Sequence, residues 1–264
     1  MKVWQLISEM NWTSRMGLLV VSVFGFCAIF APWLAPYGQS EIVGDVWEPL
    51  FGNFFFGTDQ IGRDMLSMLI YGARNMIALA LLTTGCAFGL GSLLGFLAAT
   101  MGGWVDQVLS RFVDVVISIP TLIFALIVLS STGTSTFALV TVIAIIYAMP
   151  VYRIARAVAM DIEVMDYVEA ARLRGEGLWW IMRKEILPNA LTPLAAEFGL
   201  RFCFVFLLIS GLSFLGLGLQ PPLADWGAMV RDNGGGIAWG FMHPLIPATC
   251  IALLTIGINL IVDS

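Results

Sequence analysis

Five long stretches of the sequence carry no charged side chain, and they constrain the fold more than any other feature. Asp, Glu, Lys and Arg are all missing from residues 16–40, 75–105, 115–152, 202–224 and 233–262. A helix needs about 20 apolar residues to cross the hydrocarbon core of a bilayer, so each stretch can hold at least one span. With 59% hydrophobic and only 12% charged residues, the chain could not cover the surface of a soluble fold. The sequence therefore predicts an all-α integral membrane protein.

The third stretch is too long for one helix. At 1.5 Å per residue it would extend about 57 Å, and the Ser/Thr-rich run at residues 130–136 divides it into two spans. The sequence thus predicts six transmembrane helices. They lie at residues 17–35, at 76–100, on either side of 130–136, at 193–217 and at 244–262. The second span contains small residues that let membrane helices approach closely: Gly85, Gly89, Gly91 and Gly95.

Two polar segments interrupt the predicted spans. Residues 39–74 follow the first span, and a charged insert at residues 153–190 joins the fourth span to the fifth. We predict a single domain over residues 1–264, in which residues 76–262 form a core of five spans around that insert.

The positive charges predict an orientation. If the N-terminus is cytoplasmic, only three Lys or Arg residues lie outside: Arg63, Arg74 and Arg231. The other ten lie on or near the cytoplasmic side: Lys2, Arg15, Arg111, Arg153, Arg156, Arg172, Arg174, Arg183, Lys184 and Arg201. Cytoplasmic loops of membrane proteins carry such an excess of positive charge. Both termini and the insert are therefore predicted to be cytoplasmic.

Residues for catalysis are sparse. The single histidine, His243, stands beside Pro244 at a predicted outer boundary and has no nearby Cys, Asp or Glu in the sequence, which argues against a catalytic triad and a metal site. No glycine-rich loop follows a strand, so we expect no nucleotide on this chain. No basic arm is present to bind nucleic acid. The chain is predicted to be non-catalytic and to bind no cofactor.

Glu197 and Arg201 are charged residues inside a predicted span. Four residues apart, they share one face of a helix and can neutralise each other. Roles in solute passage, gating or proton coupling remain open alternatives. Ser210 and Ser213, further along the same span, are added as pathway or gating candidates.

The insert predicts a helix, a turn and a second helix at the membrane surface. Residues 166–174 combine an acidic start with strong helix formers, and Gly175 follows them. We expect Gly175 to adopt a backbone conformation that a side chain would strain. Ala170 and Ala171 offer a smooth patch for another protein. The second helix is predicted to end at residues 187–189, because the sequence Leu-Pro-Asn contains a proline.

Several motifs resemble a known family. Glu169-Ala170-Ala171, Gly175 and Ile186-Leu187-Pro188 resemble the EAA loop of permease subunits in bacterial binding-protein-dependent ABC importers. The other motifs, which follow in the family's order, are FGTDQIGRD at 56–64, YGAR at 71–74, GGWVD at 102–106, LSFLGLG at 212–218, QPP at 220–222 and WG at 226–227. They resemble the second, C-type, permease of the dipeptide/oligopeptide/nickel branch.

The resemblance implies a type I importer-like permease with six spans and a cytoplasmic coupling helix, in the bacterial inner membrane. Its implied partners are a second permease, two ATPase subunits that use ATP and Mg, an extracytoplasmic solute-binding protein and membrane lipid. The implied solute is a di- or oligopeptide, or another peptide-like or amino-acid-derived molecule. A nickel chelate or another non-peptide solute is the alternative, and an ion-coupled secondary transporter is a more distant one.

The resemblance also implies roles for individual residues. ATPase coupling is expected of Asp166, Tyr167, Glu169, Ala170, Ala171, Arg172, Gly175, Leu187 and Pro188. An extracytoplasmic motif is expected of Gly57, Thr58, Asp59, Gly62, Arg63, Asp64, Gly72 and Arg74.

Overall fold

The computed structural model describes residues 11–262, and they form helices joined by loops. The helices are α1 (Trp12–Ile29), α2 (Ala31–Leu34), α3 (Met65–Met101), α4 (Gly103–Ser118), α5 (Thr121–Thr132), α6 (Thr136–Glu163), α7 (Asp166–Leu173), α8 (Leu178–Ile181), a π-helix (Met182–Ile186), α9 (Leu187–Phe214), α10 (Trp226–Asn233), a 3-10 helix (Gly234–Trp239) and α11 (Leu245–Val262). Within that range, β-pairing is limited to two isolated bridges. The all-α prediction is confirmed. Lys2 and the ends of the predicted domain at residues 1–264 lie outside the described residues.

Five helices are long and apolar enough to cross a membrane. They are α1, α3, α6, the continuous helix Leu178–Phe214 and α11. Helices α4 and α5 meet the same test only as a pair, bent by 89°. The bend falls at Ile119 and Pro120, because Pro120 cannot donate a backbone hydrogen bond and forces extended backbone on Ile119 (φ −86°, ψ 128°). Counting the pair as one span gives six over the described part of the chain, as predicted.

Helix boundaries differ from the predicted spans. Helix α3 begins at Met65, so the end of the polar segment 39–74 is helical. Helix α6 continues to Glu163 and a long helix resumes at Leu178, which leaves only residues 164–177 of the insert between them. Helix α1 ends at Ile29, because Pro32 lies in the first turn of the separate helix α2.

The predicted break at residues 187–189 is wrong, because the helix passes through Pro188. In a regular α-helix the proline ring would collide with the carbonyl four residues earlier. Here the preceding turn widens into the π-helix, in which the Leu187 N–H donates to the Met182 carbonyl. The side-chain amide of Asn189 donates to the Glu185 carbonyl at 2.6 Å and supplies a further bond in this turn.

The first of two compact units comprises, within the described residues, 11–81, Leu129–Leu139 and 202–262. Helices α1 and α11 pack closely in it: a Cβ built on Gly17 would lie 2.5 Å from the Gly257 carbonyl oxygen. Trp226 is buried at the start of α10, and its indole N–H donates to the Leu69 carbonyl at 3.0 Å.

The second unit comprises Leu82–Val128 and Val140–Arg201. Helices α3 and α6 touch at two of the predicted glycines. A Cβ on Gly91 would lie 2.6 Å from the Ala148 carbonyl oxygen, and one on Gly95 would lie 2.8 Å from that of Tyr152. Gly85 and Gly89 instead face open space. The predicted close approach is therefore confirmed at two of the four glycines.

Candidate functional site

Helix α7 buries one face against its own unit. Val168 and Ala171 are fully buried and belong to the core cluster that includes Ile162, Ile181 and Ile186. Residues three apart share a helix face, so Ala171 must turn inward together with Val168. The expectation that Ala171 offers a patch to another protein is wrong, because its side chain is already packed inside.

The opposite face of α7 is exposed. It carries Asp166, Tyr167, Glu169, Ala170 and Leu173, which we call the docking face. Leu173 is 83% exposed, so its apolar side chain is open to contact by another protein. Leu173 is not among the residues predicted from the sequence, although its spacing of three residues from Ala170 predicts a shared face. The docking face thus combines acidic and apolar side chains around one small residue.

Gly175 ends α7 in the conformation expected from the sequence. Its φ is +83°, in the left-handed region that side chains other than glycine rarely adopt. The Gly175 N–H donates to the Arg172 carbonyl at 2.9 Å and the Glu176 N–H to the Ala171 carbonyl at 3.2 Å. These two bonds form a Schellman cap, which fixes the direction in which the chain leaves the helix.

Two coupling candidates are placed differently from the rest. Arg172 forms an ion pair with Glu163, which ties α7 to the end of α6. Leu187 and Pro188 lie on α9 and are exposed there, so they do not belong to the docking face.

Glu197 and Arg201 form the predicted ion pair within α9. Their side chains are 13% and 19% exposed. Arg201 also lines a cavity of about 120 Å³ together with Tyr147 and Pro150. This volume is below the range of about 300–1,000 Å³ that is typical of ligand-binding pockets.

Ser210 and Ser213 are buried and hydrogen-bonded within the protein. The Ser210 hydroxyl donates to the Phe206 carbonyl at 2.8 Å, and the Ser213 hydroxyl donates to the Asp225 carboxylate at 2.6 Å. Neither hydroxyl lines an open path in the first unit. Asp225 also caps α10 by accepting the Ala228 N–H at 3.1 Å.

Asp225 is not among the residues predicted from the sequence, although an Asp before an apolar helical run is a helix-start signal. Along the chain, Asp225 lies in the segment that joins the Leu178–Phe214 helix to α11. Burial raises the pKa of its carboxyl, while the hydrogen bonds from Ser213 and the backbone oppose that rise. The Ser213–Asp225 bond thus belongs to a buried structural contact between α9 and α10.

Most residues of the extracytoplasmic motif hold their own loop together. The Thr58 hydroxyl donates to the Asp45 carbonyl at 2.5 Å, and Asp59 pairs with the Arg63 guanidinium at 2.6 Å. Asp64 accepts from the Ser67 backbone and hydroxyl at 2.8 and 2.6 Å. Thr58, Asp59 and Asp64 are all buried. These side chains therefore stabilise the loop and offer little surface to a partner.

The remaining motif residues fit the same interpretation, except Arg74. Gly57 and Gly62 have φ of +69° and +84°, as tight turns require. A Cβ on Gly72 would lie 2.6 Å from the Trp226 ring, so this glycine makes room for the tryptophan. Arg74 is exposed at the side of α3.

His243 is a buried residue of the first unit and not a surface one. Its Nε2 lies 3.0 Å from the Glu48 carbonyl oxygen, which fastens the chain before α11 to the loop before α3. Residues 11–262 contain no group of three or more His, Cys, Asp and Glu side chains that could hold a metal ion.

The apolar helices and the short helical insert define the class of this molecule: it is a multi-pass membrane protein. Residues 91–264 match the family described as the inner membrane component of binding-protein-dependent transport systems. The chain is 36% identical to the di/tripeptide transport system permease protein DppC of Pseudomonas aeruginosa, over 94% of this chain and 84% of that protein. It is 34% identical to the probable D,D-dipeptide transport system permease protein DdpC of Escherichia coli, over 89% and 79%.

A crystal structure of an amino acid ABC transporter with histidines is similar at a TM-score of 0.49 and 24% identity, over 76% of this chain and 96% of that chain. The family match and these two relatives, both above 30% identity, establish the family. The chain belongs to the inner membrane components of binding-protein-dependent transport systems, and it is a permease subunit of such an importer. The resemblance drawn from the motifs is confirmed.

Proposed function

We propose that this permease imports short peptides, driven by partner ATPases that bind at the docking face of α7. The observation that carries the proposal is the exposed acidic and apolar face of a short helix held between two membrane-length helices. The two relatives above 30% identity are named as permeases for di/tripeptides and for D,D-dipeptides, which supports a peptide solute. A nickel chelate or another non-peptide solute is the alternative.

Helix α7 is built to transmit a displacement within its unit. Its buried face packs with Ile162 of α6 and with Ile181 and Ile186 at the start of the long helix. Arg172 adds an ion pair to Glu163 on α6. Packed interfaces shift between discrete arrangements and do not deform continuously. A push on the docking face would therefore move α6 and the Leu178–Phe214 helix together.

The remaining parts of the importer follow from this assignment. ATP and Mg would be bound by two cytoplasmic ATPase subunits, and this chain would be non-catalytic. A second permease would complete the solute pathway, and an extracytoplasmic binding protein would deliver the solute to the side that carries residues 39–64. Both termini and α7 would face the cytoplasm. Glu197 and Arg201 are the candidates for gating on this chain.

Ala170→Trp tests the docking assignment. Ala170 is exposed, so the larger side chain leaves the core intact and holds a partner away from the docking face. We expect uptake of a labelled dipeptide by membrane vesicles containing the complete transporter to fall at least about tenfold, equivalent to 1.4 kcal/mol of lost coupling. Dipeptide-stimulated ATP hydrolysis should fall with it.

Ala170→Ser is the matched control, because it changes the same position with little change in size. It should retain uptake, and both variants should reach the membrane in wild-type amounts. Normal uptake and hydrolysis in Ala170→Trp would exclude the docking face as the ATPase site. Uptake of a nickel chelate but not of a dipeptide by the wild type would replace the proposed solute.

A further inference from the structure

A large apolar groove lies within the second unit, between α3 and the helix Leu178–Phe214. Its volume is about 570 Å³, in the range of ligand-binding pockets. Its walls are almost entirely apolar, with Phe88 and Phe198 at one end and Trp179 at the other. Gly89 lies on the groove wall and faces open space. We call this feature the apolar groove.

The part of the groove beyond Arg183 has about the length of one bilayer leaflet. Both walls of the groove belong to helices that are long and apolar enough to cross a membrane. The lining extends from Trp179 to Phe198, about 28 Å at 1.5 Å per residue, and the part from Leu187 to Phe198 accounts for about 16 Å. Half of a hydrocarbon core of about 30 Å is about 15 Å. An acyl chain from one leaflet therefore matches the part of the groove beyond its charged end.

One end of the groove carries the features of a membrane interface. Arg183 is the charged residue of the lining, and Trp179, 62% exposed, lies beside it. The next aromatic residue, Trp180, has the Arg174 guanidinium 5.8 Å from its ring centre. Trp and Arg are typical of the headgroup level, where an apolar body and a polar tip are both accommodated. The cationic end thus offers charge complementarity to an anionic headgroup.

An open groove of this size admits a flexible hydrocarbon chain. The apolar walls and the charge at one end therefore select the same kind of occupant.

We propose that the apolar groove binds one acyl chain of an anionic phospholipid, whose headgroup phosphate contacts Arg183. The lipid fills the space beside Gly89 and lies against α3 and the Leu178–Phe214 helix at once. This inference goes beyond the proposed function, because it concerns a ligand that needs neither ATP nor solute.

Lipid retention tests the proposal directly. The full chain, in the complete transporter, is placed in nanodiscs of phosphatidylcholine with phosphatidylglycerol, extracted into detergent, and analysed for retained lipid by native mass spectrometry. Gly89→Leu fills the groove and Arg183→Gln removes the phosphate contact. Each variant should lower retained phosphatidylglycerol at least about tenfold relative to the wild type, equivalent to 1.4 kcal/mol.

Two neighbouring positions give matched controls. Gly85 lies one turn before Gly89 on α3 and also faces open space, but it does not line the groove. Lys184 is the exposed cation next to Arg183 and likewise does not line it. Gly85→Leu and Lys184→Gln should retain phosphatidylglycerol. Equal retention in all variants, or equal loss in the controls, would overturn the proposal.

A second measurement covers the case in which Gly89→Leu does not assemble. A phosphatidylglycerol analogue with a photoreactive acyl chain is incorporated with the wild-type protein, and the crosslinked residues are mapped. Adducts within 88–96 or 179–198 support the groove, and adducts confined to other segments contradict it. A cysteine at Leu191 that crosslinks to the second permease in the same membranes would assign the groove to a protein contact and overturn the lipid site. Because uptake is not measured, failure here leaves the import proposal unaffected.

Discussion

Glu197 and Arg201 show how single residues are constrained by a membrane environment. The two side chains lie one turn apart on α9 and are mostly removed from solvent. A charge without a partner is costly in such surroundings, whereas a paired charge is tolerated. The pair therefore predicts strong coupling between the two positions, whatever its part in gating.

Glu197→Gln should destabilise the purified protein by about 1–3 kcal/mol, because Arg201 then loses the charge-assisted bond to the Glu197 carboxylate while it stays mostly removed from solvent. The double variant Glu197→Gln/Arg201→Gln should recover part of that loss. Thermal unfolding in detergent measures both. Asp114→Asn provides the comparison: that carboxylate pairs with Arg153, but the side chains are 48% and 53% exposed, so its loss should cost less than about 1 kcal/mol. A double variant as unstable as Glu197→Gln would show that the two positions are not coupled.

At the scale of helices, the sequence predicted those features that depend on local composition or on the backbone conformation of a single residue. Charge-free stretches indicated the spans because the bilayer imposes a minimum apolar length. Gly175 predicted the end of α7 because its conformation is local. The helix break predicted at Pro188 is wrong, because the turn at Met182–Ile186 widens through backbone adjustments that a residue pattern does not reveal.

The arrangement of the candidate site could be predicted from the sequence less completely than the positions of the helices. The inward rotation of Ala171 depends on packing against Ile181 and Ile186, which follow it in the chain but are not periodic with it. The hydrogen bond between Ser213 and Asp225 likewise joins two separate helices, so no local signal paired them. The apolar groove arises from two segments more than eighty residues apart in the sequence, and neither segment alone predicts it.

The contact between α1 and α11 gives a prediction at this scale. Gly17→Leu should destabilise the protein by about 1–3 kcal/mol, because its side chain would collide with the Gly257 backbone and separate the two helices. Gly25→Leu, in the same helix, has no atom within 4 Å of its added Cβ and should be tolerated. Thermal unfolding of both variants in the same detergent provides the test. Equal stability of the two would mean that α1 does not depend on this contact.

For the whole molecule, the direction of the chain through the membrane determines what each surface can do. The docking face can meet an ATPase only on the cytoplasmic side, and the loop built around Thr58 and Asp59 can meet a binding protein only on the other. The Lys and Arg residues favour one direction, because most of them lie at or near the chain segments that the proposed orientation places on the cytoplasmic side. Orientation thus connects the insert and the loop to their proposed partners.

Cysteine labelling tests this orientation in one experiment. In a variant whose native cysteines are replaced (Cys27, Cys86, Cys203 and Cys250), single cysteines are introduced as Asp45→Cys and Glu176→Cys. Asp45 lies in the exposed part of the loop after α2, and Glu176 lies directly after the cap of α7. Three predicted spans separate the two positions, and an odd number places them on opposite sides of the membrane. A membrane-impermeant maleimide should therefore label Asp45→Cys in intact spheroplasts and Glu176→Cys only after the membrane is opened. Labelling of both positions from one side would contradict the orientation and would remove α7 from the compartment in which ATP is available.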